Sequence, residues 1–144
     1  MRPHPYLRAY MAGIVVPTVF LLAALTVYAY FRFVATPSQF LAPLVSRPLE
    51  RAIIFPMAVV PNLWGAWNML HLAIRPHVRL PLGVHGAILP LMLVPAGAAL
   101  ASALDVFTIP LATAAAVAPI GMVIYYVVWK HVVGYLNAEV GIAA

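Results

Sequence analysis

Four long apolar runs leave this chain few ways to fold. They cover residues 9–31, 52–74, 82–104 and 106–129. Each is about the 20 residues that a helix needs to cross the hydrocarbon core of a bilayer. The first holds no charge and no histidine. The second holds no formal charge but contains Asn62, Asn68 and His71, and the third carries His85 near its start. Helices are expected, because lipid offers no partner to an exposed backbone N–H or C=O. A transmembrane barrel would alternate apolar and polar residues in segments of about ten, and these runs do not alternate. The expected fold is an all-α integral membrane protein with four transmembrane helices, forming a single domain over residues 1–144.

Composition supports this. Apolar residues make up 65% of the 144, and charged residues 8%. A soluble domain has about 25% charged residues and could not hide so much apolar surface. The formal charge of +5 is scattered through the gaps between runs, as topology signals and headgroup contacts are. That pattern argues against nucleic acid as a partner. The chain has no cysteine, which removes disulfides, thiolate metal sites and thiol redox chemistry.

The connections differ in character. Thr36-Pro37-Ser38-Gln39 reads as a capping box. Phe40, Leu41, Leu44 and Val45 then give an apolar face. Together they predict a short interfacial or re-entrant helix over residues 37–45. Pro76 and Pro81 bound a tight turn between the second and third spans. A turn around Asp105 would make spans three and four an antiparallel hairpin. Aromatics flank the spans at Tyr6, Tyr10, Tyr28, Tyr30, Tyr125, Tyr126 and Trp129, where an interfacial belt belongs.

With both termini cytoplasmic, Arg2, Arg8, Arg75, Arg79 and Lys130 lie inside and Arg32, Arg47 and Arg51 outside. The positive-inside rule favours that orientation by five to three of the 8 basic residues. The expected localisation is therefore a multi-pass membrane protein with cytoplasmic ends.

No acidic residue falls inside a span. Glu50, Asp105 and Glu139 all sit at edges. Ion-coupled carriers commonly use an intramembrane carboxylate, so its absence weighs against cation-coupled transport. No HExxH, GxSxG, P-loop or GxGxxG motif stands in the chain, and the reading is non-enzymatic.

The second span carries most of the polarity. Asn68, His71 and Arg75 fall at i, i+3 and i+7 on one helical face, with Trp64 one turn earlier. Asn62 and Gly65 lie on a neighbouring strip. One reading is a ligand-facing stripe; the other is interhelical hydrogen bonding that fixes packing. All five histidines map to the same expected side. Three sharper readings follow. A basic polar pocket formed by Asn68, His71, Arg75, Arg79 and His85, with Trp64 and Asn62 beside it, would hold an anionic lipid or amphiphile. A divalent metal would use His71, His85 and His131. A haem would take His71 and His85 as axial ligands. Cations and histidines that merely snorkel to headgroups explain the same pattern. The residues imply no cofactor on their own.

Paired prolines, Pro56 with Pro61 and Pro90 with Pro95, predict bent second and third helices. They suit a channel or transporter path as the alternative function. Small-residue pairs in spans three and four, Gly97 with Ala101, Ala98 with Ser102 and Ala114 with Ala118, predict a tight hairpin. They are also a candidate surface for a homo-oligomer or a larger membrane complex. The first span, featureless by comparison, is expected to face lipid.

Overall fold

A computed structural model describes residues 4–30, 47–103 and 110–142. The expected helix at 37–45 and the turn around Asp105 lie outside those residues. The described residues are helical throughout apart from short turns, with no strand among them. Four long helices follow one another: α1 (Pro5–Tyr30), α2 (Arg47–Ile74), α3 (Leu82–Ala103) and α4 (Leu111–Val128). A π-helix (Trp129–Val133) and a short helix α5 (Gly134–Glu139) extend α4 without a break.

Three helical stretches, Pro5–Tyr30, Leu82–Ala99 and Ala112–Glu139, are long and apolar enough to cross a membrane. α2, with 28 residues, has the length, about 42 Å at 1.5 Å per residue. Asn62, Asn68 and His71 make it more polar than the others. Its ends follow familiar chemistry. Arg75 N–H bonds the His71 carbonyl, 3.0 Å, and after Pro76, which has no N–H, the chain turns with His77 and Val78 N–H both on the Ile74 carbonyl, 2.9 and 2.8 Å. Pro5 opens α1 and Pro110 immediately precedes α4, both where a missing N–H costs nothing.

α1 and α2 pack antiparallel, and glycine makes the approach close. A Cβ on Gly13 would lie 2.7 Å from the Trp64 carbonyl oxygen and 2.9 Å from the Gly65 Cα. Backbone meets backbone here, and any side chain would force the helices apart. Ala9, Ala12, Gly13 and Pro17 form the buried stripe of α1. The first span is therefore not featureless: most of its surface is open to lipid, but one stripe is built to receive α2.

α3 and α4 form the expected antiparallel hairpin. Gly83 lies against Tyr126 and Lys130, and Gly86 lies directly beneath the Trp129 indole. The two hairpins meet around a small core of Trp64, Leu89, Trp129 and Val133. The close approaches described thus involve Gly13, Gly65, Gly83 and Gly86. Gly97, Ala98, Ala114 and Ala118 are half-buried, and Ser102 is exposed.

The helical path continues ten residues past the expected end of the fourth span, to Glu139. Trp129, Val133 and Asn137 are all buried. In a regular α-helix, residues eight apart diverge by about 80°. A π-turn advances less per residue, which keeps the three on one line facing the neighbouring helices. The segment ends in a Schellman cap. Ile142 N–H reaches the Asn137 carbonyl, 2.8 Å, and Gly141 N–H the Ala138 carbonyl, 2.9 Å. Gly141 has φ 71°, the left-handed conformation that this cap requires and that glycine takes freely. The reversal tucks Ile142 inward, where it is buried.

Candidate polar site at one end of the bundle

Antiparallel packing brings the start of α1, the end of α2, the start of α3 and the C-terminal hook to one end of the bundle. There the buried polar side chains of α2 find partners on three other elements. Asn68 and Asn137, 1% and 3% exposed, bond to each other reciprocally. Asn68 Nδ2 donates to Asn137 Oδ1 at 2.7 Å, and Asn137 Nδ2 donates to Asn68 Oδ1 at 3.1 Å. The second hydrogen of Asn68 Nδ2 goes to the Ala9 carbonyl, 2.7 Å. One amide pair therefore ties α1, α2 and α5 together. In lipid an unpaired amide is costly, so each asparagine makes the other's position favourable.

One residue away, Trp67 and His85 clasp α2 to α3. Trp67 Nε1 donates to the His85 carbonyl, 2.9 Å. His85 Nε2 lies 2.9 Å from the Trp67 carbonyl. A carbonyl oxygen only accepts, so Nε2 must carry the proton. The two rings also stack, with centroids 4.8 Å apart. An aromatic cluster continues from them: His71 against His85 at 4.8 Å, Trp64 against Trp129 at 5.3 Å and Trp64 against Tyr125 at 4.9 Å.

Arg8 closes the end. Its Nη1 donates to the Val140 carbonyl at 2.6 Å, one of the carbonyls that the terminating helix leaves without a helical partner. Between these elements lies a cavity lined by Ala9, Asn68, His71, Leu72, Arg75, Leu82, Asn137 and Ile142. Its enclosed part has room for about one water molecule. His71 Nδ1 and Arg8 Nε are both buried and make no hydrogen bond among the described residues.

The sequence-predicted residues fall into two groups. Trp64, Asn68, His71 and His85 are buried and close together. Arg75 and Arg79 are exposed, Arg75 at the lip of the cavity and Arg79 in the turn beyond it. Asn62, further along α2 and exposed, accepts a hydrogen bond from the Tyr10 hydroxyl. His131 is exposed on the π-helix, and among the described residues no three metal-binding side chains converge. The residues do not fit haem. Axial imidazoles stand on opposite faces of a macrocycle, whereas the His71 and His85 rings touch and His85 Nε2 is already bonded.

Sequence reasoning missed Arg8, Trp67, Trp129 and Asn137. Each acts through a partner distant in the chain: Asn137 is 69 residues from Asn68, and Arg8 is 132 from Val140. The only available signal was Asn137 as an amide one turn inside an apolar helical end. No protein-family profile, curated protein sequence or solved structure matches this chain.

The geometry predicts strong coupling between the two asparagines. Asn137→Leu alone should destabilise the protein, because it strands the Asn68 amide. In a double-mutant cycle with Asn68→Leu, thermal unfolding in detergent should give a coupling of about 0.6–2 kcal/mol. Additive effects would mean the pair does not form.

Proposed function

We propose that the protein is a non-enzymatic binding or accessory protein of the membrane, crossing the bilayer four times and engaging anionic phospholipid at its basic end. The fourth crossing is α2. It lies antiparallel along α1 with glycine-to-glycine contact, and its buried Asn68 and Trp67 are turned inward to Asn137, Ala9 and His85. Intramembrane polarity of this kind is compatible with spanning when the groups face protein.

The observation that supports lipid engagement is the placement of charge. Arg8, Arg75, Arg79 and Lys130 gather at one end, accompanied by Glu139 as the one acid there among the described residues. The opposite end carries Arg47 and Arg51 against Glu50. Arg75, Arg79 and Lys130 are exposed, as headgroup contacts must be. Lys130 Nζ lies 5.7 Å from the centre of the Tyr126 ring, a pairing suited to the interfacial depth where an aromatic body and a charged tip both find favourable surroundings. Each such cation near an anionic leaflet contributes about 1 kcal/mol. By the positive-inside rule, this distribution supports a cytoplasmic location for both termini. The buried amides are already bonded to each other and His85 to Trp67, so the outer cations supply the main attraction.

Two measurements test the reading. Because the chain lacks cysteine, single cysteines report topology directly. His4→Cys and His77→Cys should react with a membrane-impermeant maleimide from the same side, and Asp105→Cys from the other. Labelling of His4→Cys and His77→Cys from opposite sides would remove the crossing by α2. In native mass spectrometry after extraction, the protein should retain phosphatidylglycerol in preference to phosphatidylcholine. Arg79→Gln with Lys130→Gln should reduce that preference roughly tenfold or more. An unchanged preference would overturn the lipid assignment.

A further inference from the structure

We propose that the cavity between α1, α2 and the C-terminal turn seats one anionic oxygen of a phosphate-class group, with His71 donating to it and Arg8 placed beside it. The inference rests on the anionic-lipid reading and locates the stereospecific part of that contact.

Three observations point to a guest. His71 is 9% exposed, its Nδ1 is buried, and that nitrogen has no hydrogen-bond partner among the described residues. A buried polar atom without a partner is destabilising, and His71 is among the residues that line a cavity able to hold one. Next, Asn137 Nδ2 spends one hydrogen on Asn68 Oδ1. An amide nitrogen has two, so a second donor remains on a residue that lines the same space. Last, the Val140 carbonyl holds the Arg8 guanidinium beside this wall, where Ala9 and Ile142 line the cavity, and Arg8 Nε–H is buried without a partner among the described residues.

The chemistry selects the kind of guest. Among the described residues no carboxylate lines the cavity, which disfavours a cation, and Arg75 lies at the lip. Donors on nitrogen beside guanidinium charge suit an oxyanion. Size limits what enters. Space for about one water admits a single oxygen, so the rest of a phosphate group stays outside, at the level of Arg75 and the headgroups. A neutral water is the competing occupant. The same donor chemistry would accept a lipid phosphodiester or free inorganic phosphate, and the experiment separates them.

The full chain, labelled with 15N-histidine, is placed in nanodiscs of phosphatidylcholine. Either phosphatidylglycerol is mixed into the nanodisc or inorganic phosphate is added to the buffer. The proposal expects the His71 Nδ1 resonance to shift with phosphatidylglycerol, saturably. Arg8→Gln should weaken that response about tenfold, whereas Arg51→Gln at the opposite end should not. A shift with inorganic phosphate alone would keep the seat and assign it to the soluble anion. If His71 responds to neither probe while phosphatidylglycerol is still retained through Arg79 and Lys130, the seat holds only water and the proposal fails, with the lipid reading intact. If retention is also absent, both fail. A His71 shift that survives Arg8→Gln unchanged would overturn the role given to Arg8.

Discussion

An amide buried in lipid must find a partner inside the protein, and Asn68 and Asn137 meet that requirement for each other. Their reciprocal bonds, with the Ala9 carbonyl as a third member, fix the relative positions of α1, α2 and α5. Between helices in a bilayer the hydrophobic effect gives little direction, since lipid is as apolar as leucine. Close packing and polar bonds decide which faces meet. The Trp67–His85 clasp acts in the same way between α2 and α3. Together they join the two helical hairpins along an interface that apolar contact alone would leave free to slide.

Other features serve this geometry. Gly13 and Gly65 let α1 and α2 approach until their backbones touch, which brings the Ala9 carbonyl within reach of Asn68. Gly86 leaves room for the Trp129 indole. The π-turn keeps Asn137 in line with Trp129 and Val133, and the Gly141 cap turns the chain so that Arg8 can bond the Val140 carbonyl. The outcome is an end of the bundle where buried polar bonds, a small cavity and exposed cations lie in successive layers from the core outward.

Much of the fold was legible in the sequence because spanning helices are dictated by apolar run length alone. The runs later seen as α1, α3 and α4 required nothing else. The spacing of Asn68 and His71 also identified the inward face of α2, since residues three apart share a helical face. What remained hidden depended on distant pairing. Asn137 lies beyond the fourth apolar run and gave no sign of reaching Asn68. Gly13 sat in a run that looked uniform, because a glycine's value there comes from what packs against it. The π-turn leaves no mark in residue type, so the continuation to Glu139 could not be anticipated. His71, His85 and His131 looked alike on one side of the membrane, yet folding buries the first two together and leaves the third outside.

The account stands on the Asn68–Asn137 pair, and side-chain amide NMR of the full chain in lipid nanodiscs tests it directly. Nuclear Overhauser contacts should connect the Asn68 and Asn137 amide protons, and the Asn68 amide protons should be protected from exchange with water in a way that Asn137→Leu removes. Rapid exchange of the Asn68 amide, with no contact to Asn137, would contradict the arrangement on which the bundle's polar end depends.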